Sequence, residues 1–183
     1  MSYETALQKG WEKVAGVIPS GSASVRFMGD VYDVQAREKR ILSRSCNAPV
    51  KDFLSILLLH YLAARTAGLP APGGEWISFK ELAGGESYYP AFRKRAIEPI
   101  LHKYGKQPTL LLEVGLRLPA RRIQQADAAV ILEVFENIEV LIEIWAGDEE
   151  FGPEANMLFD RTLPLIFCTE DIAVLGGFIA KYL

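Results

Sequence analysis

The chain is poor in the residues that build metal centres. Its 183 residues include two cysteines, Cys46 and Cys168, far apart and without a CxxC neighbour. That spacing argues against a structural zinc site, and four thiolates for an iron–sulfur cluster are not available. Two buried or half-buried thiols in a reducing compartment are expected, and a disulfide between them stays open. Excess positive charge is also missing. Twenty Lys and Arg stand against 23 Asp and Glu, a net charge of -3, and the pI is about 5.5. Phosphate neutralisation dominates nucleic-acid affinity, so no nucleic-acid partner is expected. Long apolar runs are absent as well. The longest, Phe53 to Ala64, contains Ser55, His60 and Tyr61 and falls short of the ~20 residues a bilayer span needs. Met1 to Thr5 lacks the basic-then-apolar pattern of a secretory leader. The expectation is a cytoplasmic protein with no membrane partner. Neither Gly73-Gly74 nor Gly84-Gly85 belongs to a nucleotide-cradling glycine motif.

What is present suits one domain over residues 1–183. Half of the residues are hydrophobic, about the globular norm, and a chain of this size buries roughly 70% of its unfolded surface without staples. Leu7, Trp11, Val14 and Ala15 recur at helical spacing over Tyr3 to Val17, and Pro19 to Ser22 breaks that helix. Val25 and Phe27, then Tyr32 and Val34, alternate around turns at Met28 to Asp30 and Arg37 to Lys39. A third strand begins at Arg40, giving a small antiparallel meander. Pro49 reads as the opening of a helix that runs to Ala67 and stops at Gly68. This helix is apolar almost all round between Phe53 and Leu62 and belongs in the core. His60 within it is either a core histidine bonded to a neighbour or a ligand or base.

Ala71 to Tyr89 reads as a loop in which Ser78 and Glu81 fit a capping box. Pro90 to Tyr104 reads as a helix with the basic run Arg93 to Arg95 near its start. Positive charge there opposes the helix dipole, so carboxylates elsewhere in the fold, a ligand or solvent must answer it. Thr109 to Leu118 reads as a strand and Pro119 to Arg122 as a loop.

Ala128 to Phe135 and Ile138 to Trp145 read as two strands of a hairpin. A two-residue loop would set Val134 opposite Glu139 and mix the faces. A three-residue loop, Phe135 to Asn137, pairs Val134 with Ile138, Leu132 with Val140 and Val130 with Ile142, and one face is then wholly aliphatic. Asn137 takes the left-handed conformation such loops need. The same register sets Glu133 opposite Glu139 and Ala129 opposite Glu143. Opposed like charges cost a few tenths to ~1 kcal/mol. Solvent, an arginine from Arg121-Arg122 or Arg93 to Arg95, or a shared proton or cation would offset this.

The densest group of possible ligand side chains follows, from Trp145 to Asp160. Gly147-Asp148 marks a turn. Pro153 and Glu154 read as the first turn of a helix. Thr169 reads as the N-cap of a final helix, with Glu170 and Asp171 in its first turn and Ile172, Leu175 and Ile179 inside. Capping and dipole effects absorb much of this acidity. Trp145, Asp148, Glu150, Asn156 and Asp160 remain as the candidate ligand or partner surface. The oxygens of Asp148, Glu150, Asn156 and Asp160 are of the type Mg²⁺ or Ca²⁺ takes, although no EF-hand spacing is present. His60, Trp76, Tyr88 and Arg95 are secondary candidates. No nucleophile–base constellation marks a catalytic residue, and no cofactor is specified.

Ile56 to Leu62, Trp76 to Leu82, Tyr88 with Phe92-Arg93, Trp145 to Phe151, Ala155 to Asp160 and Thr169 to Asp171 together resemble a domain family of unknown function from anaerobic bacteria and archaea. The resemblance covers nearly the whole chain. Some members of that family are fused to a small cysteine-rich iron–sulfur domain like that of corrinoid iron–sulfur proteins. The resemblance implies an anaerobic, cytoplasmic setting near corrinoid or one-carbon chemistry and supplies no activity. This chain has no cysteine-rich extension, so no cluster-binding role carries over, and Glu133 and Glu139 are not part of the family's pattern. The expected fold is α+β, helices packed on an antiparallel sheet built from the N-terminal meander and the C-terminal hairpin. The expected role is a binding or accessory domain for a protein partner or small ligand. The alternative is a small metal-dependent enzyme using Asp148, Glu150 and Asp160. A corrinoid or tetrapyrrole binder walled by Trp76, Tyr88 and Trp145 is a third reading, without a DxHxxG ligand motif.

Overall fold

An antiparallel sheet of eight strands forms one layer, and helices cover one of its faces. The computed structural model describes all residues except Met1, Ser2, Pro19 and Lys51, and leaves the side chain of Asp52 undescribed. The break expected from Pro19 thus lies partly outside the described residues. The strands are β1 (Ser22–Phe27), β2 (Asp30–Gln35), β3 (Arg40–Ser43), β4 (Trp76–Ser78), β5 (Ala120–Ile123), β6 (Ala128–Phe135), β7 (Ile138–Trp145) and β8 (Glu154–Asp160). They run in the order β3-β2-β1-β6-β7-β8-β4, with β5 also paired to β6. The helices are α1 (Tyr3–Ala15), α2 (Asp52–Ala67), α3 (Gly85–Phe92), α4 (Glu98–Tyr104) and α5 (Thr169–Tyr182). Among the described residues no helix is long and apolar enough to cross a membrane.

Period-two alternation divides the apolar strand residues between two clusters. Val25, Phe27, Val34, Val130, Leu132, Val140, Ile142 and Phe159 join the main core with the helices. Ala129, Ile131 and Leu141 form a smaller cluster on the opposite face with Trp76, Ile123 and Leu158. The expected α+β fold, the meander and both hairpin strands are all present. α2 is central as its sequence requires: Leu58, Leu59, Tyr61 and Leu62 are fully buried. Tyr61 stacks on Phe135 at 4.4 Å and donates a hydrogen bond to the Glu136 carbonyl at 3.0 Å.

Several local expectations are corrected. Pro49 does not open α2; it bridges to Leu42 beside β3, and the helix starts at Asp52. The helix expected from Pro90 begins five residues earlier, at Gly85. Gly84 enters it with φ +74°, and a Cβ on Gly85 would lie 1.9 Å from the Phe79 carbonyl oxygen, so this glycine pair shapes a helix entry. The helix then widens into a π-helical turn over Arg93–Ile97 before continuing as α4. Pro99 follows that turn, and its ring crowds the carbonyl four residues back. Arg93 to Arg95 therefore lie mid-helix, away from the positive dipole end. Residues 108–116 form a 3₁₀ helix with Leu111 and Val114 buried, at the three-residue period of such a helix. The expected loop at Arg121-Arg122 is strand β5.

The largest correction concerns Pro153 and Glu154, which lead into strand β8 and not a helix. Ala155, Met157 and Phe159 alternate inward between Glu154, Asn156, Leu158 and Asp160, the pattern of a half-buried strand. Cys168, not Thr169, occupies the N-cap position of α5; the Thr169 hydroxyl donates to the Ala83 carbonyl at 2.8 Å. Both cysteines are unpaired and exposed, not buried. In the hairpin the expected pairs Leu132–Val140, Val130–Ile142 and Glu133–Glu139 form, but Phe135 and not Val134 faces Ile138. A bulge at Val134 takes up the extra residue and lets both Val134 and Phe135 be buried. Asn137 is left-handed, with φ +64°, as expected.

Candidate functional site: the open face of the sheet

The face of the sheet turned away from the helices carries the smaller cluster, in which Ala129, Ile131 and Leu141 are buried beneath Trp76, Ile123 and Leu158. Register fixes what it presents. Across β6 and β7, Glu133 faces Glu139, Ile131 faces Leu141 and Ala129 faces Glu143. Across β7 and β8, Leu141 faces Leu158, Glu143 faces Asn156 and Trp145 faces Glu154. Trp76 of β4 faces Asp160, and Arg121 of β5 faces Ile131. The result is an apolar strip, Ile131–Leu141–Leu158, with Trp76 toward one end of the face and Trp145 toward the other. Glu133, Glu139, Glu143, Glu154 and Asp160 surround it.

The opposed glutamates are relieved by the arginine β5 brings alongside. Arg121 donates to Glu139 at 2.9 Å, while Glu133 accepts the Asn137 backbone N–H at 3.3 Å. Both partners of the ion pair are largely in water, so it contributes little stability, but it sets the local charge. Glu143 is different. It is 3% exposed, and its recorded partner is the Asn156 amide, donating at 3.5 Å. At the hairpin end of the face, a depression of about 280 Å³ lies between Trp76, Ile131, the Arg121–Glu139 pair and the 70–74 loop.

Trp145, Asn156 and Asp160, together with Trp76, thus come onto one surface. Asp148 and Glu150 do not join them; they lie in the turn beyond β7. Asp148 accepts the N–H groups of Phe151 at 2.7 Å and Glu150 at 2.8 Å, and these bonds hold its carboxyl below the usual range. Asp160 stands at the far end of β8, six residues past Glu154, or about 20 Å at strand rise. It accepts four hydrogen bonds: from Gly73 N–H at 3.1 Å, Gly74 N–H at 2.9 Å, Thr162 N–H at 2.9 Å and the Thr162 hydroxyl at 2.6 Å. Burial alone would raise its pKa, but the Thr162 and glycine donors outweigh that and lower it. Three of these donors meet Oδ1 and one meets Oδ2, so the carboxylate is engaged chiefly as a staple between the 70–74 loop and the end of β8. Among the described residues no group of three or more His, Cys, Asp or Glu is placed to hold a metal.

The secondary candidates scatter. His60 Nδ1 lies 2.8 Å from Asp171 Oδ2, joining α2 to α5. Arg95 donates to the Tyr88 hydroxyl at 3.2 Å. Arg93, Lys94 and Arg95 are exposed and form no ion pair among the described residues, which leaves solvent as their answer. The hairpin register already sets Ile131 and Glu143 on the face of the opposed glutamates; what sequence reasoning missed is Leu158, which the alternation of residues 154–160 could have found. The Asp171 partner of His60, 111 residues away, has no sequence signal.

Among the described residues the face shows no metal cage. It offers a shaped acidic surface with aromatic ends and an apolar middle. No curated protein matches the chain, and no solved structure matches it either. Residues 11–182 match the model of a domain of unknown function, DUF3786, and the chain belongs to that family.

Proposed function

We propose that this domain is a binding or accessory module that docks a basic segment of a partner protein on its open sheet face. The observation that carries the reading is charge complementarity over a strip of apolar side chains. Glu133, Glu139, Glu143, Glu154 and Asp160 share the β6–β7–β8–β4 part of the face, where Arg121 pairs with Glu139, while Arg26 and Arg40 stand on the meander part. Trp76 and Trp145 are partly exposed at its ends, and tryptophans in such positions are favoured interface anchors. An amphipathic segment with apolar residues along one side and Lys or Arg flanking them fits these demands. The anaerobic setting near corrinoid or one-carbon chemistry implied by the resemblance belongs to this proposal as its context. The metal-dependent alternative has less to support it, because Asp148 and Asp160 lie at opposite ends of β8 and both are engaged by N–H donors.

The test uses the protein's own tryptophans. Two of the three, Trp76 and Trp145, lie on the face, and Trp11 is 5% exposed in the core. A synthetic lysine–leucine amphipathic peptide should shift the tryptophan emission saturably, and salt should weaken it. Leu158→Arg, at a partly exposed position in the middle of the strip, should abolish the shift. A glutamate–leucine peptide that binds equally well, or an unaffected Leu158→Arg variant, would sink the proposal.

A further inference from the structure

On the helical side of the molecule, away from the open face, α1, α2 and α5 enclose a cleft of about 530 Å³. That is within the usual range for small-molecule sites. Phe53 and Ile56 of α2 and Val174 of α5 give it apolar walls. Phe53 is 59% exposed, an unusual state for a large aromatic beside a cleft, and its ring meets that of Tyr3 edge-on at 5.3 Å. α1 is drawn onto α2 at Gly10, where a Cβ would lie 3.1 Å from Leu59 Cδ1.

The polar groups in the cleft are few and of distinct kinds. Lys9 and Lys13 line it from α1; four residues apart, they share one helix face. Neither forms an ion pair among the described residues. His60 is the third. Asp171, 9% exposed, must receive a donor from the imidazole nitrogen 2.8 Å away, and that fixes the proton on Nδ1. In the neutral imidazole Nε2 is then a lone-pair acceptor, with no hydrogen-bond partner among the described residues. The charge of Asp171 is committed to His60, and Glu170 is the other carboxylate lining the cleft, exposed on the first turn of α5. Cys168 also lines the cleft; although the residue is exposed, partial desolvation of its thiol and then the Asp171 charge push its pKa up, which is the reverse of nucleophile activation. The cleft is therefore equipped for binding and not for thiol chemistry.

We propose that the α1–α2–α5 cleft binds a small organic anion with an apolar body and one hydrogen-bond donor. The anionic group pairs with Lys9 and Lys13, the body lies on Phe53, Ile56 and Val174, and the donor meets His60 Nε2. This site is separate from the partner surface and stands or falls without it.

Anilinonaphthalene sulfonate is the probe, since its sulfonate, fused rings and anilino N–H match these three demands. Phenylnaphthylamine, which lacks the sulfonate, serves in parallel. Titration of the native chain, followed by probe fluorescence, should show one saturable site. Lys9→Gln with Lys13→Gln should weaken the sulfonate about tenfold, the loss of charge-assisted contacts partly screened by solvent, and leave the neutral probe within twofold. Val174→Trp, which fills the cleft from a partly buried position, should abolish binding of both. Thermal melts establish that the variants fold, and Ala6→Trp on the α1 wall replaces Val174→Trp if that one does not. No saturable binding, binding that survives the filled cleft, or indifference of the sulfonate to both lysines overturns the proposal.

Discussion

Replacing Asp160 by asparagine tests whether this carboxylate is a staple or a ligand. Its two oxygens accept four donors, and those from Gly73 and Gly74 tie the 70–74 loop to the end of β8. An amide keeps one accepting oxygen and turns a donor toward either the Gly74 N–H or the Gly73 and Thr162 donors. A hydrogen bond to a charged group is worth about 1.5–3 kcal/mol net, but the glycine side is exposed, so water recovers part of the loss. A destabilisation of about 2 kcal/mol follows. In a chain of this size each kcal/mol moves Tm by about 2–4 °C, so Asp160→Asn should melt about 4–8 °C lower at neutral pH. The folded-state pKa of Asp160 is lowered. Its stabilisation is therefore complete above the unfolded value of about 3.9 and is lost as pH falls through the folded value. The gap between the two proteins should narrow in acid. Scanning calorimetry across this pH range, with and without Mg²⁺, Ca²⁺ and Mn²⁺, gives the readout. Equal melting at neutral pH, or a gap that acid leaves intact, refutes the staple. A cation-dependent rise in Tm that the variant loses restores the ligand.

Asp171→Asn removes the charge that, after burial, holds the Cys168 thiol up. In a Cys46→Ser background, Cys168 should then alkylate faster with iodoacetamide at mildly alkaline pH, because the thiolate is the reacting form; an unchanged rate contradicts the influence of Asp171 on the thiol. Gly176→Ala should cost about 1–3 kcal/mol by overpacking, read as a lower urea midpoint, because the new Cβ would lie 2.6 Å from Phe92 Cε2 and 3.2 Å from Ala96 Cβ. Gly177→Ala, with nothing within 4 Å, should be neutral or mildly stabilising; equal effects at both positions would remove the packing argument.

What could be read in the chain follows how local the cause is. The hairpin register came from facing patterns alone, because slipping one residue would have exposed an entire buried face. The bulge at Val134 escaped because it depends on Phe135 reaching Phe27 at 4.9 Å and Tyr61 at 4.4 Å, contacts made across the sheet and from α2. Residues 154–160 misled for a different reason. Pro153 and Glu154 are good helix-start chemistry, and Pro is equally at home before the first residue of a strand. The two-residue alternation that followed was the stronger evidence. Gly84-Gly85 read as a break because glycine punctuates; only the close approach of Phe79 shows that it opens a helix. The site residues divide the same way. Trp145, Asn156 and Asp160 reach one face through strand period, which sequence can give. Asp148 leaves it because its carboxylate folds back on its own turn, and nothing in residue type distinguishes that from a ligand.

The same geometry sets the expected strength of the proposed docking. Leu141 is fully buried and Ile131 is 6% exposed, because Trp76, Ile123 and Leu158 already lie against them. A partner would therefore remove little new apolar surface at the centre and would gain mainly from Trp76, Trp145 and Leu158. Hydrophobic gain scales with area removed from water, so the apolar contribution is modest. The carboxylates add steering and partner choice more than affinity. That combination describes a transient contact, formed quickly and sensitive to salt, and not a permanent subunit interface. The α1–α2–α5 cleft lies on the other layer, behind the main core, so an anion seated there and a basic segment on the sheet would not compete for space.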